Sequence, residues 1–332
     1  MKKKLLSMVL LFLMFASIFS GCAGNITEAK KVIKFADVGW DSIKFHNAVA
    51  IFVAEKAYGY GVEEVSATTP ITLQALKSGD MDVIMEMWTD NVATYDEDIS
   101  AGAYVELGSN FDDNIQGFYV PRYVIEGDEA RNIKATAPDL KTVADIAKYK
   151  DVFVDEEDTS KGRIYGAITG WDVNTIMKKK YEFYGLDKDF TYFDPGSEAA
   201  LAAVFTSAYE KGEPIVGYYW DPTWLTGKYD LVVLEDAPYD KAKYANGETA
   251  CPAVDVTVCA SNQMIKDAPD YVEFLKKYKT SSALTSEALA YMQDNKANYQ
   301  DTAKWFLKTH DELITKWLAS DKAELVRKEL NK

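Results

Sequence analysis

From residue 31 onward, short apolar runs alternate with longer segments whose apolar positions recur every three to four residues, the pattern of an α/β chain. Val32–Ala36 predicts a strand, and Ser42–Lys56 predicts a helix with Ile43, Val49, Phe52 and Val53 on or near one face. Val62–Ala67 reads as a second strand, and Pro70 opens a helix that Gly79 ends, each residue in the position its backbone chemistry favours. Met81–Glu86 forms a third strand ending at Trp88, and Gly117–Ile125 is extended and crosses between lobes. A new βαβ-like series then begins: Val152–Val154 as strand, Asp172–Tyr184 as helix, Tyr192–Phe193 as a short extended piece and Ser197–Tyr209 as helix. Pro214–Tyr219 reads as a buried strand running into Trp220, with Leu231–Leu234 and Val254–Cys259 as further strands. Beyond Ala268 the pattern is helical, and Trp305, Phe306, Leu313 and Trp317 fall along one buried stripe. This order predicts a middle lobe inserted within an outer lobe: residues 32–120 and 225–332 form lobe I, residues 121–224 lobe II, with a ligand cleft between them.

The N-terminus has a different pattern. Lys2, Lys3 and Lys4 precede a nearly unbroken apolar stretch from Leu5 to Phe19, which suits an export signal and is short for a membrane span. Ser20 and Gly21 ahead of Cys22 resemble a bacterial lipoprotein processing site, although Phe19 stands where such sites more often carry Leu. Residues 1–21 are therefore expected to be a lipoprotein signal peptide, residues 22–31 a tether, and Cys22 the lipidated residue that holds the chain to the outer face of the cytoplasmic membrane.

Composition narrows the chemistry. The 332 residues carry 37 Lys+Arg against 52 Asp+Glu, a net charge of -15, and such a surface repels nucleic-acid phosphates. Two histidines and three cysteines leave little for a soft metal cluster, so neither a metal nor a cofactor is expected. No Gly-x-Ser-x-Gly elbow or His-Glu-x-x-His helix occurs, and paired carboxylates arise by chance in so acidic a chain, which disfavours an enzyme. Once Cys22 is assigned to lipid, Cys251 and Cys259 remain. Outside the cytoplasm a disulfide between them is permitted, provided Pro252 helps turn the chain; two inert buried thiols are the alternative.

The informative residues are tryptophans. Trp305 and Trp317 sit on the late helical stripe and read as core. Trp40, Trp88, Trp171, Trp220 and Trp224 instead fall at apparent strand ends, loops or helix starts, the positions that line the ligand crevice of an open α/β sheet. A quaternary ammonium has no N–H to donate, so aromatic faces must hold it by dispersion and cation–π attraction, each face contributing about 1 kcal/mol. The same residues could equally fill cores and interfaces. Trp40 either closes such a box or packs at its rim, and Trp224, past a bend at Asp221-Pro222, is expected to pack beneath it. His46 could reach a ligand carboxylate but reads better as a satisfied helix histidine, and His310 as structural. The polar loop from Asp158 to Gly162, with Arg163, is placed to order the cleft or to act in lobe closure, and lacks the glycine spacing of a phosphate loop.

Three segments in order carry a family resemblance. They are Glu213 to Trp224 (EPIVGYYWDPTW) followed by Lys228 to Leu231, Gly170-Trp171 ahead of a helix ending at Tyr184, and Leu76 to Asp82 leading into Met87-Trp88. On these residues the whole chain after the signal resembles the extracellular substrate-binding proteins of bacterial ABC importers for glycine betaine and related compounds. The resemblance implies an α/β, two-lobed, periplasmic-binding-protein-like fold of type II, each lobe a mixed sheet flanked by helices. It implies a box of Trp88, Trp171 and Trp220 around the quaternary ammonium, with the backbone N–H groups of Asp172 and Val173 holding the ligand carboxylate. An Asp at 172 departs from that arrangement, because its side chain could cap its own helix and compete with a carboxylate. The partners implied are the ligand and an ABC permease with its cytoplasmic ATPase, and the chain is expected to act as a monomer. Choline, carnitine or proline betaine is the alternative ligand, and a ligand sensor that transports nothing is the alternative role.

Overall fold

The computed structural model describes residues 31–332, so the expected signal peptide, the lipidated Cys22 and nearly all of the tether lie outside the described residues. Two five-stranded mixed sheets organise the chain. The first contains β1 (Val32–Asp37), β2 (Gly61–Ser66), β3 (Val83–Trp88), β4 (Val105–Phe111) and β10 (Val256–Ala260), in the order β2-β1-β3-β10-β4. The second contains β5 (Ile115–Pro121), β6 (Gly162–Tyr165), β7 (Phe190–Phe193), β8 (Gly217–Asp221) and β9 (Leu231–Val233), in the order β7-β6-β8-β5-β9. The longer helices are α1 (Asp41–Val53), α2 (Thr69–Ser78), α3 (Asp172–Phe183), α4 (Glu198–Lys211), α5 (Ser282–Asn295), α6 (Tyr299–Thr309) and α7 (Ser320–Leu330).

Strand direction decides where a ligand crevice can open. β1 runs parallel to β2 and β3, and β6 runs parallel to β7 and β8, whereas β10 and β5 run antiparallel to their neighbours. Crossover helices therefore leave the carboxyl ends of β1, β3, β6 and β8, where an α/β sheet opens a crevice. All six residues of β3 are buried, as a central strand covered on both faces requires. α1 lies over it and buries Ile43, Phe45, Val49 and Phe52, each contributing about 1.5–3 kcal/mol of hydrophobic stabilisation. The Phe45 ring meets Phe306 of α6 edge-to-face at 5.1 Å.

Several expectations need correction. The segment 152–154 forms only an isolated bridge, Val154 with Gly162, and the second sheet takes β6 in its place. Gly162 opens β6 and Gly166 follows its end, and each lies where an aromatic ring from the neighbouring strand passes. A Cβ on Gly162 would come within 2.3 Å of Phe190, and one on Gly166 within 2.2 Å of Tyr192. The helix expected to reach Lys56 ends as α-helix at Val53 and continues as a π-turn, Ala54–Tyr58. Residues 122–126 turn helical directly after β5. The late stripe is divided between two helices that break at His310. Phe306, Leu313 and Trp317 are buried, while Trp305 is half-buried and stacks on Tyr291 at 4.0 Å. By sheet membership, 115–121 and 231–233 go with the second sheet, whereas the expected boundaries put 115–120 and 225–233 with lobe I.

Cys251 and Cys259 are free thiols, so the permitted bridge is not made. Their surroundings differ: Cys259 sits mid-strand in β10 beside Thr257, at 3.4 Å from its hydroxyl, while Cys251 lies beside β5 and Lys180. Burial pushes the Cys251 thiol up to about 11 and the Cys259 thiol up to about 12, which keeps both protonated and unreactive. No helix among the described residues is long and apolar enough to cross a membrane.

Candidate functional site

The Gly-Trp-Asp triplets at 39–41 and 170–172 fold alike. Gly39 (φ +102°) and Gly170 (φ +95°) hold the left-handed backbone that side chains resist, and each turns the chain so that the next residue, Trp40 or Trp171, becomes the N-cap of a helix. Trp88 closes β3 and Trp220 lies one residue from the end of β8. The tryptophans therefore occupy two carboxyl strand ends and two helix starts.

All four converge on one pocket, together with Asp172, Val173 and Tyr218. Trp40 and Trp171 meet edge-to-face with centroids 5.2 Å apart, and Trp171 and Trp220 do the same at 5.1 Å, giving a continuous row of indoles. Trp88 is set against Phe111 at 5.9 Å. The row spans both sheets. Trp171 Nε1 donates to the Val38 carbonyl at 3.2 Å, and the Thr69 backbone N–H donates to the Gly170 carbonyl at 3.3 Å. Beneath it, the Asn91 and Gln116 side chains exchange hydrogen bonds of 3.3 and 3.2 Å, with Tyr218 and Tyr244 hydroxyls donating to the pair.

The residue that sequence reasoning missed is Glu86. Its Oε2 accepts Trp40 Nε1–H at 2.6 Å, Trp88 Nε1–H at 3.2 Å and the Ser42 hydroxyl at 3.1 Å. One carboxyl oxygen thus holds two of the four indoles by their N–H edges. Glu86 is fully buried, and desolvation pushes its carboxyl up to about 7. The signal was present: a charged residue inside the buried run VIMEMW, two positions before Trp88. Asp172 is also raised by burial. Its carboxyl makes no hydrogen bond among the described residues and does not cap its own helix, contrary to the expectation. The start of α1 is instead met by Glu198, whose Oε2 accepts the Asp41 backbone N–H at 2.6 Å. The described lining holds two carboxyl groups, Glu86 and Asp172, and no basic side chain.

The remaining candidates lie elsewhere. His46 is buried behind Glu86, with Nδ1 2.7 Å from the Tyr278 hydroxyl, and burial holds it down to about 3, so it is neutral. Trp224 is half-buried near Tyr229, at 6.4 Å, and does not line the pocket. His310 pairs with Glu287 at 3.1 Å. Arg163 pairs with Asp155 and Glu157 and covers the Phe193 ring, away from the indoles.

The family model described as the substrate-binding domain of ABC-type glycine betaine transport systems matches residues 31–309. Over 154 residues the chain is 24% identical to the glycine betaine/carnitine transport binding protein GbuC of Listeria monocytogenes, covering 46% of this chain and 48% of that protein. The match thus spans about half the length of that relative. Two solved structures share the fold. The glycine betaine/L-proline-binding protein ProX of Borrelia burgdorferi is 21% identical with a TM-score of 0.69, covering 89% of this chain and 100% of that one. An ABC-transporter choline binding protein in complex with choline is 20% identical with a TM-score of 0.72, covering 90% of this chain and 98% of that one. The fold is accordingly two-lobed and periplasmic-binding-protein-like, each lobe a mixed sheet flanked by helices.

Proposed function

We infer the function from the family to which the chain belongs, the substrate-binding domains of ABC-type glycine betaine transport systems. It captures a quaternary ammonium compound of the glycine betaine class in a box of Trp40, Trp88, Trp171 and Trp220, and does no chemistry of its own. The observation that carries this is the convergence of four indoles, one from each carboxyl strand end or helix start, on one pocket spanning both sheets. Each face attracts the diffuse cation by about 1 kcal/mol, more where water is excluded. Indoles from both sheets surround the ligand only when the lobes meet, so the ligand favours closure. The backbone N–H groups of Asp172 and Val173 at the start of α3 receive a ligand carboxylate. The loaded monomer, anchored outside the cytoplasm through lipid on Cys22, then docks on a membrane permease driven by a cytoplasmic ATPase. The lobes are residues 32–120 with 225–332, and 121–224, with the crossings shifted toward 112–114 and 234–255 if sheet membership defines them.

A second reading, choline as the preferred ligand, draws on the two carboxyl groups in the lining. They favour a cation that brings no carboxylate of its own. Calorimetric titration of the purified, ligand-stripped chain with glycine betaine, proline betaine, carnitine and choline decides between them, with glycine and proline as controls lacking the methyl cation. Micromolar or tighter binding of one or more quaternary compounds, and none of the controls, is expected. Absence of binding to all four removes the box assignment.

Gly170→Ala gives a further expectation. A Cβ there would stand 2.8 Å from Thr68 Cγ2 on a backbone at φ +95°, a strain of about 1–3 kcal/mol. Because Trp171 follows directly, the variant is expected to lose ligand affinity by more than tenfold while keeping a cooperative thermal transition. An unchanged titration would show that Trp171 is not held by this turn.

A further inference from the structure

We propose that Glu86 is the counter-ion of the box: its carboxyl group, clamped on two indole N–H groups, gives up a proton to solvent as a quaternary ammonium enters, so that ligand capture is tied to proton release. This rests on the binding reading above and goes beyond it to the regulation of the same site.

The geometry points there. Glu86 lines the pocket and is wholly buried, and only its Oε2 is engaged, by Trp40, Ser42 and Trp88. Its second oxygen, Oε1, finds no hydrogen-bond partner among the described residues. No lysine or arginine pairs with it there; the nearest basic atom is His46 Nε2 on α1 at 3.5 Å. His46 is held neutral by burial and engaged by the Tyr278 hydroxyl on one nitrogen and the Thr285 hydroxyl of α5, at 3.4 Å, on the other. Among the described residues no other titratable neighbour is a cation paired with Glu86. Glu198 of α4 is buried and its own carboxyl is raised, first by that burial and then by Asp41; Asp41 at the start of α1 accepts the Tyr299 hydroxyl of α6; Asp172 of α3 lines the same pocket. Lys44 of α1 lies over the Tyr299 ring at 5.8 Å and pairs with neither buried carboxylate.

A buried carboxyl without a cationic partner holds its proton to higher pH, and Glu86 is accordingly pushed up to about 7. A quaternary ammonium carries a permanent charge that cannot be titrated away. Seated against the indoles, it supplies the missing cation, and the Glu86 O–H bond breaks with its proton leaving to solvent. The sign comes from linkage. The pKa of the empty pocket is raised and the ligand draws it back down, so affinity rises with pH up to the raised value and levels off above it.

The test titrates the full chain with choline and glycine betaine between about pH 5.5 and about pH 8.5, each in two buffers of different ionisation enthalpy. The expected result is uptake of protons by buffer at the acid end, falling to none at the alkaline end, with affinity rising roughly tenfold per pH unit below the raised value. Glu86→Gln keeps an oxygen for the indole N–H groups but cannot titrate, and is expected to bind severalfold more weakly with a flat pH profile. Wild-type binding without proton exchange overturns the proposal, whatever the variant does, as does a Glu86→Gln variant that keeps the wild-type slope. Absence of quaternary ammonium binding at every pH overturns the binding reading together with this one.

Discussion

Truncating Trp220 to alanine is expected to weaken quaternary ammonium binding by roughly a hundredfold or more, the difference of about 3 kcal/mol that a lost desolvated ring and its neighbours' support amount to. Trp220 is only 3% exposed and stands between partners on both sides. Trp171 meets it edge-on at 5.1 Å, while the Tyr218 and Tyr219 rings lie within about 21° of parallel to it at 5.8 and 5.0 Å. In the proposed box, removing the indole would delete one face offered to the cation, and it removes the ring that Trp171 packs against, which in turn is packed on Trp40. Trp220→Phe retains a ring with a weaker quadrupole and is expected to fall between wild type and alanine. The comparison is made by calorimetry at a temperature where near-ultraviolet circular dichroism shows the variant folded, because a large-to-small change at a buried aromatic costs about 3–5 kcal/mol of stability. An alanine variant within severalfold of wild-type affinity would place Trp220 outside the box.

The second large effect concerns stability. Lys180 lies near the carboxyl end of α3, the helix that starts at Trp171, and its side chain is 1% exposed. Its ammonium group donates to Asp236 Oδ2 and, at 2.5 Å, to the Thr249 carbonyl, while the Tyr184 hydroxyl donates to Asp236 Oδ1. The loop carrying Gly247 packs closely here, since a Cβ at that glycine would stand 2.2 Å from the Lys180 backbone nitrogen. Asp236→Ala leaves a buried ammonium with a single carbonyl, and is expected to destabilise the protein by about 3–5 kcal/mol in urea unfolding. Replacing both partners, Lys180→Met with Asp236→Leu, removes the charge together with its partner and is expected to recover most of that loss. Neither residue lines the indole pocket, so ligand affinity of the folded variants should change far less than stability. A loss below about 1 kcal/mol for Asp236→Ala would mark the pair as solvent-screened.

Much of the fold was legible because it is written in neighbouring residues. The alternation of β1, α1, β2, α2 and β3 follows from apolar periodicity, and the ends of α2 and α4 from glycine and capping chemistry within a few residues. Ser197 caps α4 through a hydrogen bond to the Ala200 N–H at 3.1 Å, one residue before the helix begins. The tryptophan positions were legible for the same reason. Trp40 and Trp171 each follow a glycine at a strand-to-helix turn, and Trp88 and Trp220 each end an apolar run, so local pattern alone put them at one edge of a layered fold.

What required the third dimension is whatever a distant residue supplies. β10 enters between β3 and β4 from more than 140 residues away, and β5, whose stretch reads as a crossing, and β9, whose strand was expected in lobe I, both join the second sheet. That glycine is required at 162 and 166 shows only once the rings of Phe190 and Tyr192 are placed over them. Cys251 and Cys259 are eight positions apart in sequence but packed against different sheets, so their spacing said nothing decisive. Glu86 is the sharpest case. In sequence it is one carboxylate among 52 Asp+Glu; only the fold brings Trp40, Ser42 and Trp88 onto one of its oxygens and leaves the other beside a neutral histidine. Local order in the chain was enough to define the elements and the indoles at their ends, since those depend on contacts within a turn or a strand. Strand order, the meeting of the four indoles and the environment of the buried carboxyl came from the folded chain, since burial and hydrogen-bond partnership are properties of residues far apart in sequence.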